Sequence, residues 1–265
     1  MTESISILCD NVCLSGVLHL PEGIQDKKVP LIVLLHGFVG SKVGEHRLFV
    51  KAARKFTDKG YAVFRFDFSG CGESDGDYAD VTVSKQLSEV QAVLDYVSTL
   101  KEVDTKNIIL IGHSLGGAVA SLTASVDKRI RQLILWSPVA KPYEDITAIL
   151  GDTALQAAKA LGVFDYNGFY VSQQFLEDLK NHYPLEAIHS YEGQLLVIHA
   201  AEDKDVSKEN AVYYSESLKR GNTGNIRYIK DANHTFSSYS FEEQLFEETL
   251  VWLEKSEVNS NRIAL

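Results

Sequence analysis

The chain has 265 residues, of which 45% are hydrophobic and 23% charged, a composition that excludes a disordered chain or a coiled coil. Acidic residues outnumber Lys and Arg by 36 to 26, and no cluster of basic residues occurs, so nucleic acid is not an expected partner. Three cysteines without zinc-like spacing predict reduced thiols in a cytoplasmic protein, and the longest apolar runs are too short for a membrane span.

Short apolar runs alternate with amphipathic helical patterns along the chain. This alternation is typical of an α/β protein, in which a mostly parallel sheet is flanked by helices. Eight strands are predicted, and they are Ser4–Leu8, Val12–Leu20, Pro30–Leu35, Tyr61–Phe66, Asn107–Ile111, Ile130–Trp136, Gln194–His199 and Ile226–Ile229.

The alternation is interrupted after the sixth predicted strand. The stretch before the seventh strand is longer than an ordinary crossover and contains helical patterns around Asp145–Leu161 and Gln173–Asn181. We therefore expect one core, residues 1–138 and 194–265, with a small inserted cap, residues 139–193.

A nucleophile motif follows the fifth predicted strand. Gly112-His113-Ser114-Leu115-Gly116 lies between that strand and a helical pattern, which is the context expected of a Gly-x-Ser-x-Gly elbow. The serine of such an elbow has a strained backbone, and the sharp turn leaves room only for hydrogen at Gly112 and Gly116. Ser114 is therefore the predicted nucleophile.

A serine nucleophile needs a base that a carboxylate orients. His234 lies in a loop after the last predicted strand, and Asp203 follows the strand before it, which gives the order Ser, Asp, His. Glu202 and Asp205 are the alternative carboxylates.

Two backbone N–H groups, those of Phe38 and Leu115, are expected to form the oxyanion hole. Phe38 lies in a loop that directly follows the third predicted strand. The histidines form no convincing metal-ligand spacing with one another or with carboxylates, so neither a metal nor a cofactor is predicted.

With these motifs, the whole chain resembles an α/β-hydrolase, which implies an eight-stranded, mostly parallel sheet. Asp67-Phe68-Ser69-Gly70-Cys71-Gly72-Glu73-Ser74 is similar to the Asp-x-x-Gly-x-Gly-x-Ser turn of that family. The His36-Gly37-Phe38 loop and the cap resemble bacterial feruloyl (cinnamoyl) esterases and related carboxylesterases.

The resemblance also implies residues for substrate binding. Asn167-Gly168-Phe169-Tyr170 is similar to a stretch of those esterases in which the tyrosine holds the phenolic end of a hydroxycinnamate. Tyr170 is the corresponding residue here, with Asp145 or Asp152 as its acidic partner.

The expected activity is that of a serine esterase without a cofactor, acting on a small-molecule ester with a feruloyl, cinnamoyl or short acyl group. A monoacylglycerol lipase, a lysophospholipase and a peptidase of the same fold are enzymatic alternatives. A catalytically silent binding protein is the non-enzymatic alternative, although such proteins usually lose one of the three residues that are present here. The oligomeric state is open between a monomer and a homodimer.

Overall fold

A large β-sheet forms the centre of the protein in a computed structural model, which describes residues 1–24, 27–219 and 224–263. The strands in these residues are β1 (Thr2–Cys9), β2 (Val12–His19), β3 (Val29–Leu35), β4 (Ala62–Phe66), β5 (Val103–His113), β6 (Ile130–Trp136), β7 (Val163–Tyr166), β8 (Phe169–Ser172), β9 (Gln194–Ala200) and β10 (Gly224–Ile229). Eight of them form the main sheet in the order β1-β2-β4-β3-β5-β6-β9-β10. These eight include all of the strands predicted from the sequence.

The main sheet is mixed, with parallel pairing over most of its width. β1 pairs antiparallel with β2, and β2 pairs antiparallel with β4, whereas every other pair is parallel. In register, Leu35 lies opposite Gly112, and Trp136 lies opposite both His113 and Ile198. The carboxyl ends of the parallel strands therefore meet along one edge, where the loops of an α/β sheet carry functional groups.

Helices cover both faces of the sheet. Those in the described residues are α1 (Leu48–Thr57), α2 (Val83–Val97), α3 (Leu115–Val126), α4 (Pro142–Leu161), α5 (Gln173–Leu179), α6 (Pro184–Ile188), α7 (Glu209–Ser217) and α8 (Tyr239–Ile263). None of them combines the length and the apolar composition that crossing a bilayer requires.

The two faces of the sheet carry separate hydrophobic cores because successive side chains of a strand point in opposite directions. On β3, Leu31 and Val33 pack in the core that α2 and α3 cover, and Ile32 and Leu34 pack in the core that α1 and α8 cover. β3 is apolar throughout because it is buried on both faces.

The chain between β6 and β9 contains α4, β7, β8, α5 and α6, and we call residues 139–193 the cap segment. A positive φ of 77° at Gly151 interrupts α4. β7 and β8 form a two-stranded hairpin across Asn167 and Gly168, which have φ angles of 53° and 89°. This hairpin was not among the predicted strands.

Candidate active site

Ser114 lies on a sharp turn between β5 and α3. Its φ of 57° and ψ of −123° are the strained backbone that the elbow motif predicts. A Cβ atom on Gly116 would overlap the carbonyl oxygens of Leu35 and His36, so the start of α3 can pack against the end of β3 only with glycine there. The turn directs the Ser114 hydroxyl to the carboxyl edge of the sheet, where the residue is 5% exposed.

His234 comes to Ser114 from the loop between β10 and α8. Its Nε2 is 2.9 Å from Ser114 Oγ. The neighbouring His113 donates from Nε2 to the backbone oxygen of His234 over 3.0 Å, and the two rings are 5.0 Å apart. Burial lowers the pKa of His113 to about 3, so its ring is neutral and adds no charge beside His234.

Asp203 completes a chain of hydrogen bonds. His234 Nδ1 donates to Asp203 Oδ2 over 2.7 Å, and the backbone N–H groups of Asp205 and Val206 donate to Oδ1 over 3.0 and 2.9 Å. Burial alone would raise the pKa of Asp203, but hydrogen bonds from His199 and His234 hold it well below its usual range. Of the three predicted carboxylates, Asp203 is the one that contacts His234, while Glu202 and Asp205 are exposed.

A second histidine, which was not among the predicted site residues, contacts Asp203. His199, at the end of β9, is fully buried, and its Nε2 is 3.3 Å from Asp203 Oδ2 and 3.2 Å from the Val206 carbonyl oxygen. Both neighbours are acceptors, so Nε2 carries a proton and donates it. Its position four residues before Asp203 is the available signal, but a histidine that ends a buried strand is also typical of a hydrogen-bonded core residue.

One group of side chains within the described residues could hold a metal ion, and it consists of Asp203, Asp205 and His234. Both oxygens of Asp203 already accept hydrogen bonds, and His234 Nδ1 donates one of them. Two of the three side chains, Asp203 and His234, are therefore already engaged in the hydrogen-bonded chain that leads to Ser114.

The loop after β3 passes directly beside Ser114. A Cβ atom on Gly37 would lie 2.8 Å from Ser114 Cβ and 3.2 Å from its Oγ. The Gly37 carbonyl oxygen accepts from Gly40 N–H over 3.1 Å and lies 3.0 Å from His36 Nδ1. Because a trans peptide places its C=O and N–H on opposite sides, the N–H of Phe38 points away from these two donors.

A cavity of about 370 Å³ opens at Ser114. Its apolar lining includes Phe38, Leu48, Phe49 and Phe169, and Glu45 is the charged side chain among the lining residues apart from histidines. The cavity can therefore take a neutral, largely apolar group next to the Ser114 hydroxyl.

The predicted substrate-binding residues of the cap segment lie outside the lining of this cavity. Tyr170 is 54% exposed, because neighbouring residues of a strand face opposite ways and Phe169 faces the cavity. Asp145 accepts hydrogen bonds from the backbone N–H groups of Ala140 and Lys141 at the start of α4, and Asp152 is exposed. Direct contact of these three residues with a substrate stays a prediction.

Curated proteins with similar sequences include hydrolases. The chain is 31% identical over 166 residues to the mitochondrial palmitoyl-protein thioesterase ABHD10 of Mus musculus. The matched region covers 63% of this chain and 47% of that protein. The chain is also 34% identical over 116 residues to a 31.7 kDa protein of the traX-finO intergenic region of Escherichia coli. That match covers 44% of this chain and 39% of that protein. The chain thus spans less than half the length of these curated relatives.

Solved structures resemble the protein over nearly its whole length. Est1E from Butyrivibrio proteoclasticus with ferulic acid bound has a TM-score of 0.85 and 25% sequence identity, covering 96% of this chain and 99% of that one. A family model described as "Alpha/beta hydrolase family" matches residues 32–248. This match extends over most of the chain, which therefore belongs to the alpha/beta hydrolase family.

Proposed function

We propose that the protein is a serine hydrolase that cleaves carboxylic esters through an acyl-enzyme intermediate on Ser114. One observation carries this proposal, namely the continuous chain from Ser114 Oγ through His234 to Asp203, with distances of 2.9 and 2.7 Å. These are the lengths and the order that a nucleophile, a general base and an orienting carboxylate need.

In the first step, His234 Nε2 accepts the Ser114 proton while Oγ attacks the carbonyl carbon of the ester. Asp203 accepts from Nδ1, which leaves Nε2 as the free acceptor of the ring. The lowered pKa of Asp203 keeps it ionised, so its negative charge stabilises the imidazolium that forms.

The negative charge of the tetrahedral intermediate falls on the former carbonyl oxygen. We assign its stabilisation to the N–H groups of Phe38 and Leu115. Leu115 is the first residue of α3, where backbone N–H groups have no acceptor within the helix and the helix dipole favours negative charge. Phe38 follows Gly37, which lies so close to Ser114 that a Cβ atom there would meet Ser114 Cβ at 2.8 Å.

Collapse of the intermediate breaks the bond to the alcohol, which takes the proton from His234 Nε2 as it leaves. A water molecule then gives a proton to Nε2 and attacks the acyl carbon, and the second intermediate releases the carboxylic acid and restores the Ser114 hydroxyl. The same residues therefore serve both halves of the reaction.

The lining of the cavity suggests an ester with an uncharged acyl group. Phe38 and Phe169 offer aromatic surface, and Glu45 disfavours a substrate with a free carboxylate close to the ester group. Feruloyl, cinnamoyl and short acyl esters fit this description, and the ferulic acid bound to Est1E supports the first of them.

Thioester hydrolysis is the second candidate activity. The observation in its favour is the similarity to a palmitoyl-protein thioesterase over 63% of this chain. Acyl transfer from sulfur would use the same nucleophile, base and oxyanion hole, with a thiol in place of the alcohol as the leaving group.

The first experiment is hydrolysis of a chromogenic butyrate ester by the wild-type protein and by Ser114→Ala. We expect kcat to fall by a factor of at least about 10⁴ when the nucleophile is removed. Ser121→Ala is the matched control, because this buried serine of α3 donates within its own helix, to Gly117 O. Equal rates for wild type and Ser114→Ala would contradict the proposal. Methyl ferulate, the butyrate ester and a palmitoyl thioester then rank the acyl preference.

A further inference from the structure

The loop beside Ser114 contains a strained turn. Gly40 N–H donates to the Gly37 carbonyl oxygen over 3.1 Å, which closes a four-residue turn, and Val39 occupies its third position with a φ of 48°. A positive φ at that position favours glycine, and a β-branched residue there is an outlier. Flipping the Phe38–Val39 peptide would return Val39 to a negative φ, so an additional contact must hold this peptide.

Tyr78 supplies that contact. Val39 N–H donates to the Tyr78 hydroxyl oxygen over 3.0 Å. Tyr78 is 4% exposed, and its ring lies edge-on to Phe169, with centroids 5.1 Å apart, and to Phe38, at 6.0 Å. Burial raises the pKa of Tyr78 well above its usual value, so the hydroxyl stays neutral. The acceptor of Val39 N–H is therefore fixed by packing on two sides.

The same turn also contacts the cap segment through Phe38. The Phe38 ring stacks on Phe175 of α5 with centroids 5.7 Å apart, and it lies 5.4 Å from Tyr166 of β7. The side chain of Phe38 is thus held by the cap segment, whereas the peptide on its carboxyl side is held by Tyr78.

We propose that Tyr78 is a positioning residue for the oxyanion hole, because its hydroxyl holds the strained Phe38–Val39 peptide and thereby keeps the Phe38 amide in place beside Ser114. This inference rests on the proposed function. A small displacement of an oxyanion donor weakens the stabilisation of the transition state more than the binding of the substrate, so Tyr78 affects kcat more than KM.

The test is a double-mutant cycle between positions 78 and 39, assayed with the butyrate ester. Tyr78→Phe keeps the ring and removes the acceptor, and we expect kcat to fall about 10-fold to 100-fold with KM within about 2-fold of wild type. In the Val39→Gly background the same change is expected to reduce kcat by less than about 3-fold, because glycine holds a positive φ without an external contact.

A transition-state analogue gives a second readout. A trifluoromethyl ketone reacts with a nucleophilic serine, and the resulting adduct carries an oxyanion. The inhibition constant of this ketone should therefore rise in Tyr78→Phe by the same factor by which kcat/KM falls. Tyr191→Phe is the control for removing a buried hydroxyl. The Tyr191 hydroxyl contacts Gln194 O at the start of β9, at the opposite edge of the sheet from Ser114, and unchanged kinetics are expected.

The inference is overturned if Tyr78→Phe keeps the wild-type kcat, or if it loses activity equally in the wild-type and the Val39→Gly backgrounds. Hydrogen exchange of the Val39 amide in the wild-type protein tests the contact without any substitution, and rapid exchange would also contradict it. The two failures can be told apart. If Ser114→Ala retains activity, the proposed function itself fails. If Ser114→Ala is inactive and Tyr78→Phe is fully active, only the role of Tyr78 fails.

Discussion

Asp203 accepts hydrogen bonds from two histidines at the same carboxylate oxygen, Oδ2. His234 lies 2.7 Å from it and His199 lies 3.3 Å from it, while Oδ1 is occupied by the backbone of the following turn. The carboxylate is thus held in one orientation by donors on both oxygens, which fixes the direction in which it presents its charge to His234.

Loss of the His199 donor should move the acid side of the pH–rate profile. The hydrogen bonds to Asp203 lower its pKa, so His199→Leu should raise the pKa of Asp203. A more basic Asp203 attracts the proton on His234 more strongly. The acid limb of the kcat profile should therefore shift to higher pH. We expect kcat at neutral pH to fall about 10-fold.

His199→Gln is the matched variant, since its amide nitrogen can still donate to Asp203. Its pH–rate profile should stay closer to that of the wild type than the profile of His199→Leu does. Coincident profiles for wild type and His199→Leu would show that His199 has no influence on Asp203.

The proposed nucleophile and base could be predicted from the sequence because their motifs are local. Ser114 lies in an elbow that five residues define, and His234 follows the last strand. Tyr78 could not be found in this way, because its contact with Val39 joins residues that are 39 positions apart. His199 was visible in the sequence, but its role depends on how the turn after β9 folds back.

Among the secondary-structure elements, α5 of the cap segment is joined to the start of α2 in the core. Asp178 on α5 accepts from the Ser84 N–H and hydroxyl over 3.1 and 2.6 Å, and His182 Nε2 lies 3.1 Å from the same carboxylate. We call Ser84, Asp178 and His182 the cap latch. An acidic side chain at a helix N-terminus satisfies a free backbone N–H group and interacts favourably with the helix dipole.

Breaking the cap latch should loosen the cap segment. Asp178→Ala removes the acceptor of all three hydrogen bonds. We expect KM for the butyrate ester to rise about 3-fold to 10-fold, because a typical hydrogen bond contributes about 0.5–1.5 kcal/mol and a tenfold change corresponds to about 1.4 kcal/mol. Faster hydrogen exchange of residues 173–179 is the second measurement.

Glu177→Ala is the control for this prediction. Glu177 is the neighbouring acid on α5, and its side chain pairs with Lys180 on the protein surface. The Glu177→Ala substitution should leave KM and the hydrogen exchange of residues 173–179 unchanged. Equal effects of the two substitutions would exclude a specific role of Asp178.

The cap hairpin shows how a local signal can be overlooked. Asn167-Gly168 lies between two runs rich in aromatic and β-branched residues, which is a strong signal for a two-residue hairpin turn. The positive φ angles of both residues agree with that turn type. The resemblance to esterases indicates substrate binding for this stretch and says nothing of its strands, so β7 and β8 are not among the predicted strands.

At the scale of the whole molecule, several buried or half-buried histidines are neutral. Burial lowers the pKa of His19 to about 4, and the nearby charge of Arg65 lowers it further. Burial also lowers the pKa of His113, to about 3, and the pKa of His36. In the unfolded chain each would titrate near pH 6.5. As the pH falls below 6.5, the unfolded state binds protons that the folded state does not bind, and the free energy of unfolding decreases.

Urea unfolding at pH 7 and pH 5 checks this dependence. For His113 alone we expect the free energy of unfolding to be about 2 kcal/mol lower at pH 5 than at pH 7. His19→Gln should reduce the difference, because glutamine does not titrate and can still accept from Arg65 Nε, which lies 3.0 Å from His19 Nε2.

The exposed His189 provides the comparison, and His189→Gln should leave the pH dependence as it is in the wild type. A stability that is equal at pH 5 and pH 7 would contradict the neutral state of the buried histidines.

The eight strands of the main sheet were predictable because each is a short apolar run, and the parallel order follows from the helices between them. The exact ends were less predictable. β5 begins at Val103, before the apolar run at Ile108, because Val103 pairs with Val29 of β3 on the other side of a register shift. Hydrophobic pattern alone does not record such a shift.

β6 and β9 are direct neighbours in the sheet although the whole cap segment separates them along the chain. β6 therefore lies between β5, which leads to Ser114, and β9, which leads to Asp203, and this spacing is kept whatever the length or sequence of the crossover. Exchange or enlargement of this crossover would leave the proposed nucleophile and base in place, so a different cap segment would change the acyl preference without changing the proposed reaction.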